Sequence, residues 1–109
     1  MKNELTESNV TAQIRHTKAL IKFCVDHGYN MVYLKDIQDC LVALENKDMV
    51  LAYNYYSKVP LGGNGCFNDW WPPVVFDHEN SNYVWAIFEA LVSQWSLSMR
   101  LSKQNMILR

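Results

Sequence analysis

A thirteen-residue segment, from Leu61 to Pro73, constrains the fold most strongly because it cannot continue a helix. It holds three of the four glycines, two of the four tryptophans and two of the three prolines of the chain. Glycine permits backbone conformations with positive φ, whereas proline fixes its own φ and lacks an N–H donor. The segment therefore predicts a long ordered loop whose glycines reverse the chain and whose prolines stiffen the backbone at its end.

Apolar residues on both sides of this loop recur every three or four positions, which is the period of an amphipathic helix. The fourth helix is the most apolar, so we expect it to be central. The pattern predicts an all-α fold, a single helical domain over residues 1–109 with helices at about 8–27, 33–45, 48–57 and 81–103.

Several local signals predict where these helices begin and end. Ser8 and Asp48 are good N-caps for the first and third helices, and Gly28 suits the position after the first helix. The apolar, β-branched stretch 74–76 predicts an extended, buried piece before the fourth helix. The predicted buried face of the first helix comprises Val10, Ile14, Thr17, Leu20, Ile21, Cys24 and Val25.

The formal net charge of −1 gives no basic field of the kind that nucleic-acid-binding proteins use, so no nucleic-acid partner is predicted. The charge is uneven, because residues 24–91 carry nine acidic residues against three lysines, a balance of −6. A solvated acidic surface is one interpretation of this excess. The other is an acidic face that meets a basic partner.

Three cysteines, Cys24, Cys40 and Cys66, without C-x-x-C spacing favour neither a disulfide framework nor a zinc site. We expect all three to be buried free thiols in a reducing, cytoplasmic protein. The polar N-terminus does not resemble a signal peptide, and no apolar run reaches the ~18 residues of a membrane span. No metal or cofactor is predicted, and the three histidines are expected at the surface.

The end of the loop offers the best candidate for a binding site. Two prolines follow two tryptophans, and rigid tryptophans are enriched at interface hot spots. We expect one of the two rings to be buried and the other exposed, with Asn68 and Asp69 bonded to local backbone amides as an Asx turn. The predicted partner-binding residues are Asn68, Asp69, Trp70, Trp71, Tyr55, Tyr56, Asp36 and Asp39.

Two alternatives to a protein-binding role remain open. A small enzyme or small-ligand-binding domain could use Asp69, Asp77, His78 and Cys66 around the glycine loop, provided that these side chains converge on one cleft. The loop lacks the Gly-Lys-Ser/Thr ending of a phosphate-binding Walker motif, so a phosphate-binding site in this loop is disfavoured. A homodimeric structural protein is the second alternative.

The segment from Leu61 to Phe76, preceded by the Asn46-Lys47-Asp48 turn, resembles a group of small uncharacterised bacterial proteins. These proteins share a Gly-Gly-x-Gly-x-x-Asn-Asp loop after a helix hairpin, and the match covers the middle third to half of the chain. Some of them are similar to immunity proteins that neutralise a toxin domain. The resemblance implies a cognate toxin domain as the partner, and it implies no particular site residues. The small size, the lack of a catalytic constellation, the acid-rich middle and the rigid aromatic loop favour a non-enzymatic binding protein, either a monomer or a homodimer.

Overall fold

The computed structural model describes residues 2–29, 32–62 and 65–107, with side chains for 9–29, 32–62 and 65–101. These residues contain no strand, which confirms the all-α prediction. Gly63 and Asn64 of the predicted loop lie outside the described residues. The helices are α1 (Lys2–Asp26), α2 (Tyr33–Glu45), α3 (Met49–Ser57) and α4 (Ser81–Ile107).

The outer bounds of the first and last helices were predicted too short. α1 begins at Lys2 and runs through Ser8, and α4 continues past Lys103 to Ile107. Neither extension contains glycine or proline, and residues 2–7 are rich in good helix formers. A good N-cap residue permits a helix start without enforcing one, which explains the error at Ser8.

The C-termini of α1 and α2 end in the same type of turn. Gly28 follows α1 with φ 79°, and Lys47 follows α2 with φ 60°. In each turn the next backbone N–H donates to the carbonyl five residues earlier, at 2.8 and 2.9 Å respectively. This is the Schellman arrangement, in which a left-handed residue lets the chain satisfy otherwise unpaired helix carbonyls.

Side-chain caps begin the other two helices. The Asp48 carboxylate accepts a hydrogen bond from the Leu51 N–H at 3.1 Å, which confirms its predicted role at the start of α3. The Asn80 side chain accepts from the Tyr83 N–H at 2.9 Å and caps α4. Because these caps fix both helix starts, the long 58–80 connection ends at a defined position.

The helices contact one another in a ring, in the order α1, α2, α3, α4 and back to α1. α1 and α4 are antiparallel, since Gln13 bonds to Ser98 at one end while His27 meets Glu79 at the other. The prediction of a central α4 is therefore wrong: each helix has two neighbours. No helix in the described part of the chain is both long and apolar enough to cross a bilayer.

The predicted buried stripe of α4 is confirmed, whereas that of α1 needs one correction. Val25 is 57% exposed, and its place in the core is taken by Phe23 and His27. Successive helical residues are separated by about 100°, so Val25 falls off the face that Cys24 and His27 share. The predicted α4 residues Val84, Ile87, Phe88, Leu91, Trp95 and Met99 are all buried or packed against the core, and Val92 joins them.

Replacing Lys47 by glycine is expected to stabilise the protein. A left-handed backbone costs a non-glycine residue about 1–2 kcal/mol, and the entropic cost of glycine offsets roughly half of that. We expect K47G to raise the free energy of unfolding by about 0.5–1 kcal/mol in urea titration. The control is K58G, since Lys58 has φ −78° and should gain nothing; equal gains for both variants would contradict the explanation.

Candidate partner-binding surface

The first half of the 58–80 connection is braced by two polar side chains that reach back along the chain. Asn68 Oδ1 accepts from the Gly62 N–H at 2.8 Å, and Asp69 Oδ2 accepts from the Gly65 N–H at 2.9 Å. These bonds span six and four residues, so the predicted Asx turn is wrong in its pairing. Both predicted contact residues therefore hold the loop in shape.

Two aromatic rings anchor the loop to the core. Phe67 is fully buried, and its ring contacts Tyr29 and Phe88 at centroid distances of 5.1 and 5.5 Å. Its N–H donates to the Pro60 carbonyl at 2.9 Å. Trp70 is partly buried and packs edge-on against the same two rings, at 4.8 and 5.0 Å. The position of the loop is thus set by an aromatic cluster between α1 and α4.

The two neighbouring tryptophans have different environments, as expected. Whereas Trp70 packs against the core, Trp71 is 60% exposed. Its ring stacks on Trp85 of α4, with centroids 5.4 Å apart and an interplanar angle of 22°. Pro72, the next residue in the chain, is fully buried. The orientation of the exposed Trp71 ring is therefore set by its stacking on the Trp85 indole.

The stretch after the prolines was predicted to be buried, and this is wrong. Val74, Val75 and Phe76 are 49%, 49% and 43% exposed, and they form no strand. Together with Trp71 and the exposed Pro73 they make a run of apolar side chains, here named the apolar loop surface. Hydrophobic β-branched residues indicate extended backbone, but they do not determine whether another element covers them.

A single carboxylate holds the backbone of the apolar loop surface in place. Glu79 Oε1 accepts from the N–H groups of Val75 and Phe76 at 3.1 and 3.0 Å. Its other oxygen lies 2.7 Å from His27 Nε2, and both of these side chains are only 4% exposed. Although burial alone would raise the pKa of Glu79, the Phe76 N–H, His27 and the Val75 N–H together lower it to about 2.

Each ring nitrogen of His27 lies within hydrogen-bond distance of an oxygen. Nδ1 lies 2.8 Å from the Phe23 carbonyl oxygen, which can only accept a hydrogen bond. Nε2 faces the ionised carboxylate of Glu79, which is also acceptor-only. The ring is thus held at both nitrogens, and it stacks on the Phe23 ring at a centroid distance of 3.9 Å. The expectation of a surface histidine is wrong for this residue, because it is 5% exposed.

The predicted tyrosines take part in the packing of α3. The Tyr56 ring packs edge-on against Trp95 at 5.1 Å, and its hydroxyl shares a 2.7 Å hydrogen bond with Ser96. Tyr56 therefore belongs to the contact between α3 and α4. The Tyr55 ring has the Lys58 ammonium 5.0 Å from its centroid. Neither of these contacts brings a tyrosine to the apolar loop surface.

The predicted acidic contribution lies on another helix. Asp36 and Asp39 are on α2, and Asp39 pairs with Lys35 at 3.0 Å. α2 packs against α1 and α3, whereas Trp71 stacks on α4. The structure therefore does not join the acidic pair to the exposed tryptophan. The acidic residues next to the loop surface in the chain are instead Asp69 and Asp77.

The residues of the enzymatic alternative have other contacts. Asp69 holds Gly65, and the His78 ring stacks on Phe76 with centroids 6.0 Å apart. Asp77 is exposed on the adjacent turn, and Cys66 is a half-buried free thiol, against the expectation of burial. Within the described residues, no three His, Cys, Asp or Glu side chains are grouped to hold a metal ion.

The other two cysteines are buried free thiols, as expected. Burial raises the pKa of the Cys24 thiol to about 12. Burial also raises the pKa of the Cys40 thiol to about 12, against a small opposing effect of the Trp95 indole. Since the thiolate is the nucleophilic form, these two residues are packing groups of the core.

Comparison of the chain with protein-family profiles, with curated proteins and with solved structures finds no match. Sequence reasoning missed the two residues that shape it, His27 and Glu79. The available signal was a histidine at the end of a helix and a glutamate just after an apolar run, which is too weak to pair them across 52 positions.

The depressed pKa of Glu79 predicts a specific acid dependence of stability. A carboxyl group with a folded pKa of about 2 and an ordinary value of 4.5 stabilises the fold above pH 4.5. That contribution is lost as the pH falls from 4.5 towards 2. We therefore expect the difference in unfolding free energy between wild type and E79Q to shrink over this range. Chemical denaturation at several pH values measures it.

The control for this titration is E89Q, which changes an exposed glutamate on α4. The difference in unfolding free energy between E89Q and wild type should stay nearly constant from pH 4.5 to pH 2. If the unfolding free energies of E79Q and E89Q differ from that of wild type by the same amount at every pH, Glu79 does not hold the loop backbone.

The two kinds of aromatic residue in the loop should respond differently to truncation. F67A removes a fully buried ring and should cost about 3–5 kcal/mol of unfolding free energy. W71A removes an exposed ring with one stacking partner and should cost about 1 kcal/mol. Thermal or urea unfolding distinguishes them. A cost for W71A as large as that for F67A would make Trp71 a core residue.

Proposed function

We propose that this chain is a non-enzymatic protein-binding domain, and that the apolar loop surface is its contact with the partner. The observation that carries the proposal is the exposure of Trp71 and residues 73–76 on a backbone that Glu79 holds fixed. Contiguous exposed apolar patches on small proteins mark interaction sites.

The fixed backbone supports binding for an energetic reason. A flexible loop loses conformational entropy when it is ordered at an interface, and that loss weakens the complex. Here the N–H groups of Val75 and Phe76 are already bonded, and the Trp71 ring already has a stacking partner. The surface can therefore meet its partner with little further ordering.

The chemistry of the surface favours a particular kind of partner surface. Asp69 lies two residues before the apolar run, Asp77 directly follows it, and exposed Glu89 lies one helical turn beyond Trp85. The charge of Glu79 is already matched by His27. A protein with an apolar pocket bordered by lysine or arginine is complementary to this arrangement.

The more specific proposal is an immunity protein that neutralises a cognate toxin domain. It rests on the resemblance of the Gly62–Asp69 segment to the small bacterial proteins described above. The exposed, rigid apolar loop surface supports it, because a protein that neutralises another by contact needs such a surface. Location in the cytoplasm follows from this role and stays a prediction.

The proposal is tested by co-expressing the chain with any toxin-like protein encoded beside it in its native genome and measuring growth and co-purification. W71A and V75D should weaken the complex by roughly 30-fold each, the effect of a hot-spot residue worth about 2 kcal/mol. V42D is the matched control, since Val42 is 55% exposed on α2. It should leave both rescue and affinity unchanged.

Three outcomes would contradict the proposal. The first is a lack of any complex or growth rescue. The second is a complex that V42D weakens as much as V75D does. The third is concentration-dependent sedimentation of the chain alone that V75D abolishes, because the apolar loop surface would then join two copies of this protein.

A further inference from the structure

A second site lies at the other end of the α1–α4 pair, far along both helices from His27 and Glu79. It is a groove of about 220 Å³, smaller than the roughly 300–1,000 Å³ of pockets for drug-sized molecules. None of the described residues that line it is Asp, Glu, Lys or Arg. Its walls combine apolar Ala12, Leu97 and Leu101 with uncharged polar residues and one histidine: Asn9, Gln13, His16, Gln94 and Ser98.

The Gln13 side chain in this groove has one amide atom bonded and the other without a partner. Gln13 is 2% exposed, and its Nε2 donates to the Ser98 carbonyl oxygen at 2.9 Å. A carbonyl can only accept, so the amide orientation is fixed and Oε1 is the remaining atom. Among the described residues, Oε1 has no hydrogen-bond partner. A buried acceptor without a donor is an unusual feature that calls for an explanation.

A second unpartnered atom lies one helical turn away. His16 Nδ1 is buried and has no hydrogen-bond partner within the described part of the chain. Residues three apart share a helix face, so Gln13 and His16 present these atoms to the same groove. The other walls include apolar Ala12, Leu97 and Leu101, and the two leucines are 54% and 51% exposed.

We propose that this groove binds a small uncharged molecule that places an N–H donor on Gln13 Oε1 and an apolar body against Leu97 and Leu101. A primary amide fits best, because it supplies a donor for Gln13 and both a donor and an acceptor for either tautomer of His16. An ion is disfavoured, since no charged side chain among the described lining residues would compensate its desolvation. The site is independent of the apolar loop surface and of the proposed function.

The test uses the full chain labelled with nitrogen-15 and three matched probes: benzamide, N,N-dimethylbenzamide and benzoate. Benzamide should cause saturable amide shift changes confined to residues 12–16 and 94–101. The dimethyl compound lacks the N–H donor and benzoate adds a charge, so each should bind at least about tenfold more weakly. Equal binding of benzamide and its dimethyl analogue would overturn the proposal.

A pair of variants separates the groove from non-specific binding. Q13M keeps the length of the side chain and removes the acceptor, so it should weaken benzamide binding at least about tenfold. Q38M makes the same change at an exposed position on α2 and should bind as wild type does. If Q13M binds benzamide normally, the assigned oxygen is not the contact. Should Q13M fail to fold, the three probes on the wild-type chain decide the matter.

A last outcome concerns solvent. If none of the three probes shifts the groove residues up to the solubility limit of benzamide, Gln13 Oε1 is satisfied by water only. That result would overturn the proposal and would leave the protein-binding role of the other surface unaffected.

Discussion

The shape of the exposed surface depends on one buried contact, between the His27 ring and the Glu79 carboxylate. His27 is fixed by the Phe23 carbonyl behind it, so its position is determined by the last turn of α1. Glu79 contacts His27 through one oxygen and accepts from the N–H groups of Val75 and Phe76 through the other, so it places this backbone relative to α1. Breaking one member of a buried pair leaves the other uncompensated, which is why such a contact constrains structure even where its net stability is small.

This pair explains how a loop that joins two distant helix ends can be ordered without being covered. A loop backbone needs partners for its N–H groups, and burial in a sheet is the usual solution for β-branched residues. Glu79 supplies the two partners locally, so Val74 and its neighbours need no covering strand. On the other side, Phe67 and Trp70 supply the hydrophobic anchor. The side chains of residues 73–76 are thereby left available at the surface.

The sequence predicted those features that depend on local chemistry. The helix spacing placed α2 at residues 33–45, Gly28 marked the end of α1, and Asp48 marked the start of α3, because each signal acts within one turn. These properties need no knowledge of which elements meet in space.

The errors share a different cause, which is that long-range pairing leaves no local pattern. The burial of residues 74–76 was wrong because the partner of their backbone is a glutamate side chain rather than a strand. In the same way, no local signal in the sequence indicates that Tyr56 contacts Trp95 and Ser96, positions about 40 residues away. Nor does any signal show that α2, which carries Asp36 and Asp39, is not a neighbour of α4 in the ring; the binding roles of these three residues stay predictions.

The two surfaces of the α1–α4 pair differ in the kind of group that is left unsatisfied. At the end with His27 and Glu79, the polar groups that order the loop are paired, and apolar side chains are left exposed. At the end with Gln13 and His16, the apolar walls flank polar atoms that lack partners within the described part of the chain. The first situation is relieved by a broad apolar contact, whose energy is proportional to the area removed from water. The unpartnered atoms of Gln13 and His16 instead need a few directed hydrogen bonds. A protein surface therefore suits the end with Glu79, and a compact amide suits the end with Gln13.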